Sequence, residues 1–388
     1  MSTHNSYDVC VVGAGVFGAW SALSLRRAGL SVLLLDAHGP GNSRSSSGGE
    51  SRIIRMGYGA DEIYTRSALH SLARWQELFE EAGQQLFHST GVLWMAREDD
   101  SYSINTLATL RKVGVQFEKL SRAEIAARYP QINVSAAAWG IFEPDSGVVM
   151  ARRAVQAVTE EAIENGARYS TEAVVVPVDA NSRSRLEFLG TQSGESFWAS
   201  TFVFACGSWL PKIFPDLLSD LIHPTRQEVF FFGVPAGDNR FAPPQMPVWI
   251  DFNDLVYGIP ELDFRGFKLA IDRHGAEFDP ESGERTVTAE GLAAVRAYLK
   301  QRLPALKDAP VIETRVCQYE NTSNGDFLID RHPELENVWI VGGGSGHGFK
   351  HGPSVGEYVA ARVMDEKIAI EPRFTFATKD KIQRRAVY

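Results

Sequence analysis

The stretch Tyr7–Asp36, YDVCVVGAGVFGAWSALSLRRAGLSVLLLD, constrains this chain more than any other. A short apolar run, Val9–Val12, has the length and β-branched content of a buried strand. Gly13, Gly15 and Gly18 follow in G-x-G-x-x-G spacing, then a helical pattern (Ala19, Ala22, Leu23, Leu25) that stops at Gly29. A second apolar run, Val32–Leu35, ends on Asp36. Strand, glycine turn, helix and a second strand closed by an acid make the pattern of a dinucleotide site. Gly13 is expected to permit the tight turn, Gly15 to let backbone approach a pyrophosphate, and Gly18 to bring the helix onto the sheet. Asp36 would meet a ribose hydroxyl. Ala14, Val16 and Phe17 complete the turn, where the free N–H groups of the helix N-terminus face the phosphates. The bland alternative is a tight turn in an ordinary βαβ unit.

Which dinucleotide binds is decided at the other end of the chain. Val338–Gly344 (VWIVGGG) reads as another buried strand running into glycines, followed by a loop and helix in SGHGFKHGPSVGEYVAARVM. A C-terminal strand and helix that return to the nucleotide fold suit a large cofactor shared between distant segments, which favours FAD over NAD. The expected fold is α/β (α+β): a Rossmann-like FAD domain from 1–85, 145–220 and 320–388, and a substrate domain from 86–144 and 221–319 on a mixed or antiparallel sheet. Short aromatic runs from Thr225 to Asp279, EVFFFGV, VWIDF, LVYGIP and GFKLAID, supply that sheet. Helices are expected over Tyr64–Gly83, Ser103–Gly114, Ala151–Gly166 and Thr288–Leu303, and a capping box opens Ser121–Tyr129. Further strands are expected at Gly91–Ala96, Tyr169–Val178, Arg185–Leu189, Thr201–Ala205 and Val311–Tyr319.

At 388 residues and 44% hydrophobic content the chain can bury the core of two domains. Its formal charge of −9, with no Lys/Arg run interleaved with aromatics, argues against nucleic acid and acidic membrane surfaces as partners. No apolar run approaches a membrane span. The polar N-terminus MSTHNSYD lacks the regions of a signal peptide, and three scattered cysteines (Cys10, Cys206, Cys317) fit a reducing cytoplasm, the expected location.

Several residues could carry chemistry. Cys317, a lone cysteine in a strand, reads on composition as an inert buried thiol. Lys268 sits mid-strand in GFKLAID, where alternation puts Lys268, Ala270 and Asp272 on one face; it is either functional or an edge-strand lysine that blunts aggregation. In SGHGFKHGPSVGE the glycines before Pro353 present free N–H groups that could stabilise a reduced flavin, so Gly344, Gly346, His347, Gly348, Phe349 and Lys350 are candidate cofactor contacts. His347 and His351 are four apart, but the glycines argue against a helix there and no further ligand completes a metal set; no metal is expected. Arg52 and Arg55 follow a Ser/Gly loop directly after the ribose acid and either stay solvated or meet an anion. Ser45 and Ser46 in that loop, Val174, and the strand-to-glycine turn at Cys206, Gly207 and Trp209 are placed beside the same cofactor.

With those residues in view, the chain resembles the monomeric sarcosine oxidase family of the D-amino-acid-oxidase superfamily, which includes N-methyltryptophan oxidase. The likeness runs nearly end to end, through VVGAGVFG, SRIIRMGYG, FEPDSGVV, GFKLAID, VCQYENTSNGDFLIDRHP and SGHGFKHGPSVGE. It implies FAD held by an 8α-thioether on Cys317, with Tyr319 in the matching place. It implies that Lys268 activates O₂, that Arg55 and Lys350 grip a substrate carboxylate, and that Arg52 lies close to the flavin ring. The implied partners are a small amine or amino acid and O₂, and the implied oligomeric state is a monomer. This sequence departs from the family at three places: Gly48 and Asp272 stand where histidines are expected, and Val256 where a pocket tyrosine is, with Tyr257 retained. Sarcosine itself is thus not the expected substrate. An acid at Asp272 suggests a substrate with a second cationic group, unless it pairs with Arg273 or a pocket arginine. The expected activity is an FAD-dependent amine oxidase. The alternatives are a dehydrogenase passing electrons to a carrier and a non-catalytic FAD-binding subunit.

Overall fold

A computed structural model describes residues 6–175, 184–365 and 368–384. The dinucleotide fingerprint forms a strand at Ser6–Val12, a helix at Val16–Arg27 and a strand at Val32–Asp36. The two strands pair in parallel, Val9 beside Val32 and Val12 beside Leu35. Each is buried on both faces, as a parallel sheet covered by helices requires. Ser196–Phe204 lies parallel on the other side of Ser6–Val12, and Val338–Gly342 lies parallel beyond it. The C-terminal strand thus returns to the nucleotide sheet. Arg168–Thr171 closes the far edge, parallel to Val32–Asp36.

The strand expected over Tyr169–Val178 is two pieces. Arg168–Thr171 belongs to the parallel sheet, whereas Val174–Val175 pairs antiparallel with Phe188–Thr191. The stretch beyond Val175, to Val178, lies outside the described residues. Periodicity alone cannot tell one long strand from two that change partner.

The helix Gly352–Met364 packs on Val16–Arg27 at glycines. A Cβ on Gly356 would stand 2.5 Å from the Trp20 carbonyl oxygen, and one on Gly352 would stand 2.6 Å from Val16. Trp20 meets Trp75 of the helix Glu62–Glu81 edge-on, and Trp75 stacks on Phe349 at 5.6 Å. That stack seats the loop before the C-terminal helix.

A second sheet of eight strands runs, by residue range, Val311–Thr322, Ile222–Phe232, Phe267–Ile271, Val256–Ile259, Val248–Asp251, Val92–Ala96, Trp139–Glu143, Glu118–Ser121. All neighbours are antiparallel except Val248–Asp251 with Val92–Ala96. One face buries Leu93, Trp249, Val256, Phe267 and Leu269 against the helix Ala289–Arg302. The other face turns toward the nucleotide sheet. Phe267–Ile271 is an interior strand, so Lys268 is not a guard on a sheet edge.

Candidate active site

Two cavities meet above the carboxyl ends of the parallel strands. The larger, of about 330 Å³, runs from Asp36 and Val174 past Gly13, Gly15, Val16 and Phe17 to Ser45, Ser46 and Arg52. Cys206, Gly207, Trp209, Gly344, Gly346, Gly348 and Phe349 line it as well. This is the crevice where an open α/β sheet takes its ligand. The glycines divide their tasks as expected. Gly13 has φ of 102°, and a Cβ there would lie 2.4 Å from the Ala205 carbonyl oxygen. A Cβ on Gly18 would reach to 1.8 Å of the Gly13 carbonyl oxygen, so Gly18 serves close packing and does not line the cavity. Gly15 is different: only Ser47 Oγ, at 3.6 Å, comes near a Cβ built there. The protein itself leaves that position open, and the space above it belongs to the ligand.

Asp36 accepts from Ala14 N at 2.7 Å and His38 N at 2.8 Å, which fixes its carboxylate at the cavity end. Ala14 acts through its amide and does not line the cavity. Ser47 Oγ accepts from Val16 N at 3.1 Å and caps the helix from outside, a role the sequence did not single out.

Four buried polar atoms on this cavity have no partner among the described residues: Ser46 Oγ, Ser208 Oγ, Gln318 Nε2 and Glu320 Oε2. Orphaned buried polar groups are rare and costly. Hydroxyls, an amide donor and a carboxylate acceptor, gathered in one crevice with a helix N-terminus and a ribose acid, fit the phosphates and hydroxyls of FAD. Burial pushes the Glu320 carboxyl up to about 7, against amide donors at Gly343 and Gly344. The folded chain therefore holds this proton more tightly than the unfolded chain. The cofactor-free protein should lose about 3 kcal/mol from Glu320 as pH rises from about 4.5 through 7, each pKa unit being worth about 1.4 kcal/mol. Urea titrations of apoprotein across that range should show the loss, and Glu320→Gln should remove it.

The second cavity, of about 100 Å³, shares Arg52, Tyr319, Gly346 and Phe349 with the first. It also takes in Arg55, Trp94, Tyr257, Lys268, Asp272, Cys317, His347 and Lys350. Cys317 Sγ accepts a hydrogen bond from Arg52 Nη2 at 3.3 Å, and Arg52 also donates to the carbonyls of Ser46 (2.7 Å) and Ser51 (2.9 Å). Cys317 thus lines the second cavity with the guanidinium of Arg52, a residue of both cavities, beside its sulfur, unlike an inert core thiol. Lys268 is 2% exposed; its Nζ donates to Ser51 O at 2.8 Å. Burial, then the charges of Arg52 and Arg315, hold its pKa well below that of an ordinary lysine.

The guanidinium of Arg55 lies between two rings, 4.4 Å from the Tyr58 centroid and 4.8 Å from that of Trp94. Lys350 Nζ donates to Tyr58 Oη (2.8 Å) and to His347 O (2.9 Å). Burial, then Arg55, drives its pKa well down, while Asp272 and Glu143 oppose that. Tyr58 also meets His351 Nε2 at 2.8 Å and His347 Nδ1 at 3.3 Å. The two histidines spaced like metal ligands are thereby held as parts of one hydrogen-bonded cluster around the lysine. Glu143, 1% exposed, accepts from Met56 N, Gly57 N, Trp94 Nε1 and Ser146 Oγ, and so shapes the turn that carries Arg55. Tyr58 and Glu143 were not legible as site residues, since neither stands in a spacing that signals chemistry.

The chain from residue 8 to residue 362 matches the family model DAO, FAD dependent oxidoreductase. It belongs to the DAO family of FAD-dependent oxidoreductases. The monomeric sarcosine oxidase of Bacillus sp. (strain B-0618) is 33% identical over 374 residues, 95% of this chain and 94% of that one. The N-methyl-L-tryptophan oxidase of Salmonella arizonae is 29% identical over 93% and 95% of the two chains. Among solved structures, L-proline dehydrogenase from P. horikoshii superposes with a TM-score of 0.81 at 22% identity, covering 96% of this chain and 97% of that one. The fructosamine oxidase of Aspergillus fumigatus does so at 0.79 and 21%, covering 98% and 91%. These superpositions establish the fold.

Within this DAO-family fold the three departures separate. Val256 is 4% exposed in the core beneath the sheet, on the face away from the pocket, while its neighbour Tyr257 lines the pocket. The expectation that Val256 replaces a pocket tyrosine is therefore corrected: a strand puts adjacent residues on opposite faces. At Gly48 a Cβ would fall 1.8 Å from the Asn42 carbonyl oxygen, so this loop path admits no side chain there. Asp272 does line the pocket, and Tyr319 Oη donates to its Oδ1 at 2.6 Å.

Proposed function

We propose that this FAD-dependent oxidoreductase is an amine oxidase for amino acids, with FAD joined through Cys317. FAD held in the larger cavity would supply two-electron oxidation of the carbon next to the amine with O₂ as final acceptor, so that the products are H₂O₂ and an imine that hydrolyses. Its relatives include sarcosine and N-methyltryptophan oxidases. The observation that carries the reading is the pair Arg55 and Lys350, two buried cations in a pocket that abuts the cofactor cavity. Burial holds the Lys350 pKa well down even with Asp272 and Glu143 acting on it, and a substrate carboxylate would add the further counter-charge that keeps it protonated. The Tyr58 and Trp94 rings flank Arg55, and Tyr58 also accepts from Lys350, which holds the pair rigid. Trp94, Phe252 and Phe349 keep water from the reacting carbon, and an amine desolvated there loses its proton more readily. Lys268, on the Cys317 side of the pocket, supports the oxygen step. A third opening, lined by Gly48, Gly49, Arg285 and Arg315, also reaches Lys268 and Cys317 and gives O₂ an approach apart from the substrate.

Asp272 narrows the substrate class. Its charge is felt by both Arg55 and Lys350, so the pocket carries an acid close to its cations. A substrate with a carboxylate and a second cationic group would complement that pattern, whereas an Asp272 that serves Arg55 alone would leave monoamines equally favoured. An anaerobic screen of N-methyl, cyclic and diamino acids should bleach the flavin's visible absorbance, most strongly with a dicationic substrate. Admitting air should then yield one H₂O₂ per turnover. Asp272→Asn should raise KM for the dicationic substrate about tenfold or more and leave monoamines within a few-fold. No bleaching by any amine would sink the assignment and favour a non-catalytic flavin-binding subunit. Bleaching without H₂O₂ would favour a dehydrogenase.

A further inference from the structure

We propose that Glu320 is a cofactor-binding residue that accepts a hydrogen bond from a ribityl hydroxyl of FAD, with Gln318 beside it. The inference rests on the FAD assignment and adds to it a part of the site that no motif marks.

Sheet order fixes which part of the cofactor lies where. The strands run Val32–Asp36, Ser6–Val12, Ser196–Phe204, Val338–Gly342 across the parallel sheet. Their carboxyl ends present, in that order, the ribose acid Asp36, the glycine turn Gly13–Gly15, the turn at Cys206 and Gly207, and the glycines Gly342–Gly344. FAD is linear in the same sense: adenosine, pyrophosphate, ribityl chain, ring. With adenosine at Asp36, pyrophosphate at the first turn and the ring at Cys317, the ribityl chain passes the ends of the third and fourth strands.

Glu320 stands there. It is 8% exposed, and its Oε1 accepts from Gly344 N at 3.2 Å. Its Oε2 has no hydrogen-bond partner among the described residues. That oxygen would lie 3.6 Å from a Cβ on Gly207 and 3.3 Å from one on Gly342, the two glycines at those strand ends. Gln318 lies two residues earlier on the same strand and so on the same face. It is fully buried, its Oε1 accepts from Arg285 at 3.0 Å, and its Nε2 is left over. A phosphate would repel the carboxylate, whereas a hydroxyl satisfies both an acceptor and an amide donor. The orphaned oxygen thus finds its partner when the cofactor loads.

The test uses the Cys317→Ala chain, in which flavin exchanges, and measures Kd by quenching of flavin fluorescence. Two ligands are compared: FAD and an analogue whose ribityl hydroxyls are replaced by hydrogen. Glu320→Ala should weaken FAD by about 10- to 100-fold, and Glu320→Gln by less because it keeps the Gly344 contact. In the parent, the analogue should bind weakly. In Glu320→Ala, the preference for FAD over the analogue should shrink by about 10-fold or more, leaving the part that Gln318 supplies, a narrowing that a merely structural role would not produce. The inference is overturned if Glu320→Ala binds FAD as tightly as the parent, or if the variant loses both ligands in parallel. If Glu320→Ala does not fold, Glu320→Gln with the same ligand pair decides, since its preference for FAD over the analogue should shrink. A parent that binds neither flavin overturns the cofactor assignment itself, and this inference with it.

Discussion

Lys268→Met is expected to slow reoxidation of the reduced protein by O₂ by about 10²- to 10³-fold, while anaerobic reduction by substrate changes only a few-fold. The magnitude is that of removing one preorganised charge from where negative charge develops. The split between half-reactions follows from placement. Lys268 donates to Ser51 on the Cys317 side of the pocket, away from the Arg55 and Lys350 pair. A further sign is available from pH. Burial, then Arg52 and Arg315, hold the Lys268 pKa well below an ordinary lysine's. Its charge is present below that lowered value and lost above it, so the oxygen rate should fall as pH rises, well before pH 10.5. The Lys268→Met profile should be flat over the same interval. Stopped-flow mixing of reduced protein with aerated buffer reads both effects, and an unchanged oxygen rate in the variant would remove Lys268 from the reaction.

Cys317→Ala should convert a protein that keeps its colour through acid precipitation into one that releases all of it. The wild-type pellet should be yellow and its supernatant clear, with the colours exchanged in the variant. Cys317 Sγ lines the second cavity and accepts a hydrogen bond from Arg52, which itself lines both cavities. A white wild-type pellet would mean that the flavin is held without a covalent bond.

Much of this was legible before the structure because the signals are short-range. Gly13, Gly15, Gly18 and Asp36 lie within one βαβ unit, where spacing and period specify geometry. The capping box at Ser121 and Glu124 forms as expected for the same reason. Long-range register was not legible. Whether Val256 or Tyr257 faces the pocket depends on pairing with Phe267–Ile271, which puts Tyr257 opposite Ala270. Buried polar residues were also missed. Glu143, Tyr58 and Glu320 come from three separate segments, and only their convergence shows that each completes a hydrogen-bond set. No local pattern announces such residues, because nothing local requires them.

The strand Val311–Thr322 has one further consequence. It is the outermost member of the second sheet, yet it carries Cys317 into the cavity that abuts the crevice of the first sheet. A flavin bonded there, as proposed, would act as a rivet through two layers, each gripping one end of the same molecule. Heating the loaded protein should therefore melt both layers in one step. Without the rivet the layers keep only the apolar core they share, so the Cys317→Ala chain should melt at a lower temperature than the loaded parent.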